Sequence, residues 1–139
     1  MKSSLRFIDY IVDEVSFKNK YNENDNFELD FDIDSSVDFK DENNFILRLN
    51  LYLFKKEDEV PFTMTVKVIG IFEIDDASVD EKLKIEFSEK NAVAILFPYV
   101  RALVSNYTAI ANITPLILPP INVAQYIEDK KNNDGGNIA

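Results

Sequence analysis

Residues 91–123, NAVAILFPYVRALVSNYTAIANITPLILPPINV, constrain this chain more than any other stretch. They carry one charge, Arg101, in a chain otherwise dense in charge. The first half has helical periodicity: Ala92, Ile95, Leu96, Tyr99, Leu103 and Tyr107 recur at three- and four-residue spacings and fall along one stripe. Pro98 has no N–H to give the Ala94 carbonyl, and its ring crowds that turn, so a kink or a late helix start is expected. Residues 108–120 are read as non-helical, because Pro115, Pro119 and Pro120 fix φ and bias the residues before them toward extended backbone. Yet Ile110, Ile113, Leu116, Ile117 and Leu118 make this segment apolar. Connecting segments normally lie in solvent, so an uncharged apolar one must be covered by core, by another subunit or by a ligand.

At 139 residues the expectation is one domain, 1–131, followed by a disordered tail, 132–139. The chain holds no cysteine and no histidine, which excludes disulfides, thiol nucleophiles, histidine bases and nearly all zinc sites. The N-terminus has no apolar signal core, and the one long apolar run is interrupted by proline. Neither a signal peptide nor an integral membrane segment is read, and a cytoplasmic protein is expected. The formal charge is −10, which disfavours nucleic acid and anionic membrane as partners.

Along the chain, residues 5–18 read as a strand with a bulge, Phe7, Ile11, Val15 and Phe17 alternating imperfectly. Residues 27–34 alternate cleanly, Phe27, Leu29, Phe31 and Ile33 against Glu28, Asp30, Asp32 and Asp34, and form a half-buried strand. An EF-hand loop starting at Asp30 fails, with Ser35 in place of the required glycine and Asp41 in place of the final glutamate. Residues 35–44 read as a polar connection. Residues 45–54 and 62–74 are two further strands, the second with Gly70 at mid-strand, where a bulge or a close backbone approach is expected. Val79, Leu83 and Phe87 are spaced for a short amphipathic helix. Asn122 and Gln125 are placed to open a last helix by capping. Four strands followed by helices make an α+β domain: a four-stranded antiparallel sheet packed with two main helices.

No nucleophile elbow, phosphate loop or metal-spaced cluster is present, so neither an enzyme nor a cofactor or metal is expected. Paired carboxylates such as Asp13–Glu14 and Asp75–Asp76 serve acid–base chemistry only if one is desolvated. Apolar surface of the kind carried by the loop marks binding or assembly instead.

The run ILFPYVR at 95–101, followed by LILPPINV at 116–123, resembles the signature of the SecB protein-export chaperones. Upstream, IVDEVSF at 11–17, LDFDIDSS at 29–36, FILRLNL at 45–51 and GIFEI at 70–74 are similar in order and spacing to that family's four strands. The resemblance implies an ATP-independent holdase that binds unfolded or nascent polypeptides in apolar grooves. It also implies a dimer of dimers assembled through the long helix, and delivery of preproteins to the SecA motor. On that correspondence the groove is formed by Phe17, Phe72, Leu116, Ile117, Leu118, Ile121, Val123 and Ile127. Ala92, Ile95, Leu96, Tyr99, Leu103 and Tyr107 form the oligomer interface, and Glu14 is a docking acid for SecA. Lys18 and Thr65 stand where further docking acids are expected, which weakens contact with a basic partner. The family also includes SecB-like members that chaperone an antitoxin, so a dedicated single partner is the alternative.

Overall fold

The computed structural model describes residues 4–22, 28–55, 60–75 and 81–136. Four strands, β1 (Ser4–Asn19), β2 (Phe31–Phe39), β3 (Asn44–Leu53) and β4 (Phe62–Asp75), precede two helices, α1 (Glu81–Ile110) and α2 (Val123–Gly136). The strands form one antiparallel sheet in the order β1-β4-β3-β2, so β1 and β2 lie at opposite edges.

One sheet face is apolar and lies under the helices. Phe45, Leu47, Leu49, Leu51 and Leu53 of β3 alternate into it beside Phe62, Met64, Val66, Val68, Phe72 and Ile74 of β4, all buried. Against them α1 lays Ala92, Val93, Leu96, Phe97, Val100 and Val104. Fully burying one Val, Leu, Ile or Phe side chain gains about 1.5–3 kcal/mol, so this row fixes the axis of α1 across the sheet.

Both central strands lie where their alternation places them. Differences arise at the edges. The second strand starts at Phe31, and residues 28–30 lie outside it, while Phe27 is outside the described residues. It runs on through the segment read as a polar connection, pairing Ser35 with Leu49, Val37 with Leu47 and Phe39 with Phe45. Ser35, a polar residue on the helix side of this edge strand where it donates to Glu89, interrupts the apolar alternation and hides the strand. The bulge expected in β1 is a pair of register shifts, between Phe7 and Asp9 and between Val12 and Glu14. The first changes the parity, so Ile11 pairs with Ile69 on the outer face and Tyr10 and Val12 take the helix side. Phe54, read as the last residue of that strand, lies just past β3, adopts φ 57 and turns into the core against Phe62.

Gly70 shows no bulge; it pairs in register with Tyr10 and Leu47, and the space above it is taken by side chains rather than backbone. The helical reading of 91–107 extends in both directions, α1 running without interruption through Pro98. Pro98 and Ala94 are both exposed, so the Ala94 carbonyl that loses its partner faces water. Phe87 belongs to the same helix, while Val79 is outside the described residues. Because the proline does not break it, α1 includes a span, Lys84–Ile110, long and apolar enough to cross a membrane by length and composition alone, a third of its most apolar window being buried within the subunit.

Helix α1 ends at Ile110, three residues into the segment read as non-helical. There Asn112 takes φ 63 and donates to the Ala109 carbonyl (3.1 Å), while Ile113 N–H points to the Thr108 carbonyl (3.4 Å). This pairing with a left-handed residue is the Schellman stop, and asparagine tolerates that conformation. After the connection 111–122, Asn122 Oδ1 accepts the Gln125 N–H at 3.0 Å and caps α2 as expected. The helix continues to Gly136, beyond the point where a disordered tail was expected; residues 137–139 are outside the described residues.

Candidate functional site

The two flanks of α1 differ. On the β1 side, Tyr99, Leu103, Asn106, Tyr107 and Ile110 look across at Tyr10 and Val15 over an open trough of about 380 Å³ floored by Val68. Tyr10 and Tyr99 pack ring to ring at 4.7 Å, Phe7 joins both, and Phe17 packs on Tyr107 at 5.3 Å. Ile110, at the open end, is 82% exposed. The trough is therefore a largely apolar surface lined in part by tyrosine rings.

On the other flank, polar side chains of α1 hold the apolar connection. Arg101 Nη2 donates to the Leu118 carbonyl (3.0 Å), and Ser105 Oγ donates to the Leu116 carbonyl (3.2 Å). The Leu116 N–H is accepted by Thr108 Oγ1 (2.9 Å), whose own proton is directed at the Val104 and Ser105 carbonyls. Residues 101, 105 and 108 share one helix face by their spacing. They supply partners to a segment whose prolines cannot join a ladder. The outcome is a short extended ledge. Leu118 is buried under it, Leu116 is half-buried, and Ile117 projects with 73% of its surface exposed.

Helix α2 continues from the ledge along the β2 edge. Val123 and Ile127 bury inward, and Tyr126 packs on Phe31 with ring centroids 5.5 Å apart. Asp32 accepts from Lys130 Nζ (2.6 Å) and from the Tyr126 hydroxyl (3.3 Å). Burial alone would raise the Asp32 pKa, but the hydrogen bond and charge of Lys130, helped by Lys55, outweigh it and hold the carboxyl below its ordinary 3.8. The Asp32 hydrogen bond in turn pushes the Lys130 ammonium up. Burial, then the Asp32 charge, raises the Tyr126 hydroxyl. A second tie joins α2 to α1, Lys131 to Glu89, and Glu89 also accepts from Ser35 at 2.9 Å.

The residues expected to form one groove are thus divided. Phe17 lies on the trough flank. Phe72 is fully buried mid-core, stacked on Phe45, and offers no surface. Leu118, Val123 and Ile127 are buried beneath the ledge and α2, Ile121 and Leu116 are half-buried, and Ile117 alone of the set is open. The expected interface stripe also splits. Ala92 and Leu96 are fully buried against the sheet, because α1 presents that face to β3 and β4, and Ile95 is half-buried. Tyr99, Leu103 and Tyr107 line the trough. Glu14 is exposed on the outer face, opposite Lys67 in the register, and accepts from Ser16 at 3.0 Å.

Arg101, Ser105 and Thr108, which hold the ledge, and Tyr10 and Ile110 of the trough were given no site role from sequence, although Arg101 stood out as a lone charge and Ile110 as part of the apolar segment. The signal for the first three was present: polar residues at i, i+4 and i+7 within an apolar run. Among the described residues no group of three or more Asp or Glu side chains is disposed to hold a metal ion.

A bulged four-stranded sheet crossed by one long helix, with an uncharged ledge leading to a second helix, defines an α+β protein that displays apolar surface on both flanks of that helix. Residues 5–133 match the family described as preprotein translocase subunit SecB, and this chain belongs to that family. An uncharacterized protein of Methanocaldococcus jannaschii is 43% identical over 129 residues, covering 88% of this chain and 82% of the relative. Among solved structures, a Mycobacterium tuberculosis SecB-like chaperone in complex with a ChAD peptide from the HigA1 antitoxin superposes with a TM-score of 0.63 at 17% identity, covering 84% of this chain and 90% of the other. A Streptococcus agalactiae protein of unknown function gives 0.55, also at 17% identity, with 86% and 99% covered.

Proposed function

We propose that this chain is an ATP-independent holdase that binds non-native polypeptide on the apolar surface beside α1, acting in the cytoplasm without a cofactor and catalysing no reaction. The observation that carries this reading is the ledge. A charge-free extended segment is fastened to a rigid helix so that Leu118 anchors it while Ile117 is displayed. A soluble fold does not ordinarily hold apolar chain in that way unless something binds there. One exposed side chain gains a few kcal/mol at most, whereas micromolar affinity needs about 8. A long unfolded chain touching several copies overcomes that deficit through effective concentration. The trough fits the other half of the scheme. In this reading Tyr99, Leu103, Tyr107 and the apolar side chains of β1, an edge strand among the described residues, would meet a second copy, giving a dimer and, through α1, a dimer of dimers.

Unfolded preproteins are the client class that the family implies. The weakened acidic surface, with Lys18 and Thr65 on the outer face and Glu14 opposite Lys67, argues against tight docking to a SecA motor and favours a second reading, a chaperone dedicated to one partner. The M. tuberculosis structure, in which a SecB-like chaperone holds an antitoxin peptide, provides the precedent for such a partner.

The test is suppression of aggregation when chemically unfolded proteins of unrelated sequence are diluted into the purified chain without nucleotide. General holdase action protects several of them, and Ile117→Asp, at an exposed position, loses the protection without losing the fold. Protection of none of them removes the general reading and leaves the dedicated partner.

A further inference from the structure

The way the ledge is held assigns a part to a residue that packing alone does not explain. Arg101 is the one charge among residues 91–123. It is half-buried on α1, and among the described residues no ion pair joins it to a carboxylate. Its Nε–H is buried without a partner. Desolvating part of a guanidinium with so little return is costly, and an aliphatic side chain would fill the same site more cheaply. What the charge supplies is a charge-assisted bond to the Leu118 carbonyl, the last polar contact before Pro119 and Pro120 turn the chain toward α2.

The geometry of the segment follows from the three bonds. In extended backbone, successive residues point their N–H and C=O groups to opposite sides. The Leu116 N–H, the Leu116 carbonyl and the Leu118 carbonyl are all satisfied from α1. The N–H and C=O of Ile117 belong to the other side, and no described residue partners them. Pro115, Pro119 and Pro120 lack an N–H altogether. The ledge thus offers one donor, one acceptor and one exposed apolar side chain, all from Ile117, and only while 116 and 118 remain fastened.

Resting on the holdase reading above, we propose that Arg101, seconded by Ser105, is the positioning residue of the client surface. By holding the Leu118 carbonyl it keeps 116–118 extended, so that an unfolded chain pairs its backbone with Ile117 and lays apolar side chains beside it. Recognition through backbone needs no client sequence, which is what a broad holdase requires. Arg101 touches no client itself and acts through the ledge.

The experiment compares wild type, Arg101→Gln, Arg101→Lys and Ser105→Ala as full chains. Affinity for a fluorescent, permanently unfolded polypeptide is read by anisotropy, and amide exchange is followed at Leu116, the ledge amide that is hydrogen-bonded. Arg101→Gln is expected to weaken affinity about tenfold, the loss of one charged hydrogen bond. It should speed exchange in the ledge while β4 amides and oligomeric state stay as in wild type. Arg101→Lys restores affinity to within about threefold and Ser105→Ala loses about threefold, single hydrogen bonds of this kind being worth of order 1 kcal/mol. A role in stability alone lowers the melting temperature but leaves affinity per folded molecule unchanged, and that result overturns the proposal, as does a loosened ledge with unchanged affinity. Should Arg101→Gln fail to fold, Ser105→Ala decides by the same two readouts. If wild type itself binds no unfolded polypeptide, the holdase reading falls and the positioning role falls with it, an outcome distinct from wild type and variants binding alike.

Discussion

Leu96 of α1 stands directly over Gly70 of β4: a Cβ added to the glycine would lie 3.0 Å from Leu96 Cδ2 and 2.6 Å from Phe72 Cε2. The phenyl ring cannot give way easily, because Phe72 is fully buried between Phe45, stacked at 5.4 Å, and Phe7 at 5.3 Å. The absent side chain sets how closely the helix approaches the sheet, and hence where both of its flanks lie.

Gly70→Ala should therefore destabilise the subunit by about 1–3 kcal/mol, the usual cost of forcing extra volume into a packed core. Chemical denaturation reads this as a lower midpoint at unchanged slope. A neutral or stabilising alanine would mean that the contact of α1 with β4 is looser than described.

Thr108→Val keeps the shape of a buried side chain and removes its hydroxyl. The Leu116 N–H then loses its acceptor, and stability should fall by about 1 kcal/mol, the usual worth of one hydrogen bond at a partly buried site. Exchange at Leu116 should accelerate more than at any β4 amide. The helix itself should keep its length, since its end is set by Asn112.

The tie between α2 and the sheet carries a pH signature. The folded-state pKa of Asp32 lies below its ordinary 3.8, so the stabilisation it gives is complete above that value and is lost as pH falls through the depressed folded value. The Lys130 pKa is raised above 10.5, so its share is complete below that and is lost only as pH climbs through the raised value. Between these limits the pair contributes a constant amount. Asp32→Asn should lower the melting temperature at neutral pH and bring it toward that of wild type under acid. Because both side chains are partly exposed, salt should narrow the neutral-pH difference. A difference independent of pH would assign Asp32 a role other than this ion pair.

Asn122→Ala removes the acceptor for the Gln125 N–H and should cost about 1 kcal/mol, the usual value of an N-cap. Backbone chemical shifts should report fraying confined to the first turn of α2.

How much of this could be read from the amino-acid order depends on which faces are wet. Strands β3 and β4 were legible because one side is buried along their whole length, so every second residue is apolar. Strand β2 was misplaced because Ser35, Ser36 and Asp38 look like a connection until β3 is beside them. The parity of β1 was obscured by two bulges, which alternation alone cannot locate. In α1, periodicity found one apolar stripe but could not separate Ala92 and Leu96, which meet the sheet, from Tyr99, Leu103 and Tyr107, which meet the trough. The division follows from where one continuous helix crosses a sheet of four strands. The ledge was legible only as an anomaly, an uncharged loop needing cover. Its fastening depends on side chains of α1 finding backbone that adjoins them in space and not in sequence.

The most direct measurement places a photoreactive benzoylphenylalanine in place of Ile117, and separately in place of Arg48 on the outer sheet face, and irradiates each protein with an unfolded polypeptide bound. Crosslinking from 117 that is competed by excess unlabelled polypeptide, with little from 48, is the predicted result. Equal yield from the two positions, or none from 117 while the polypeptide is held, would contradict a client surface at the ledge.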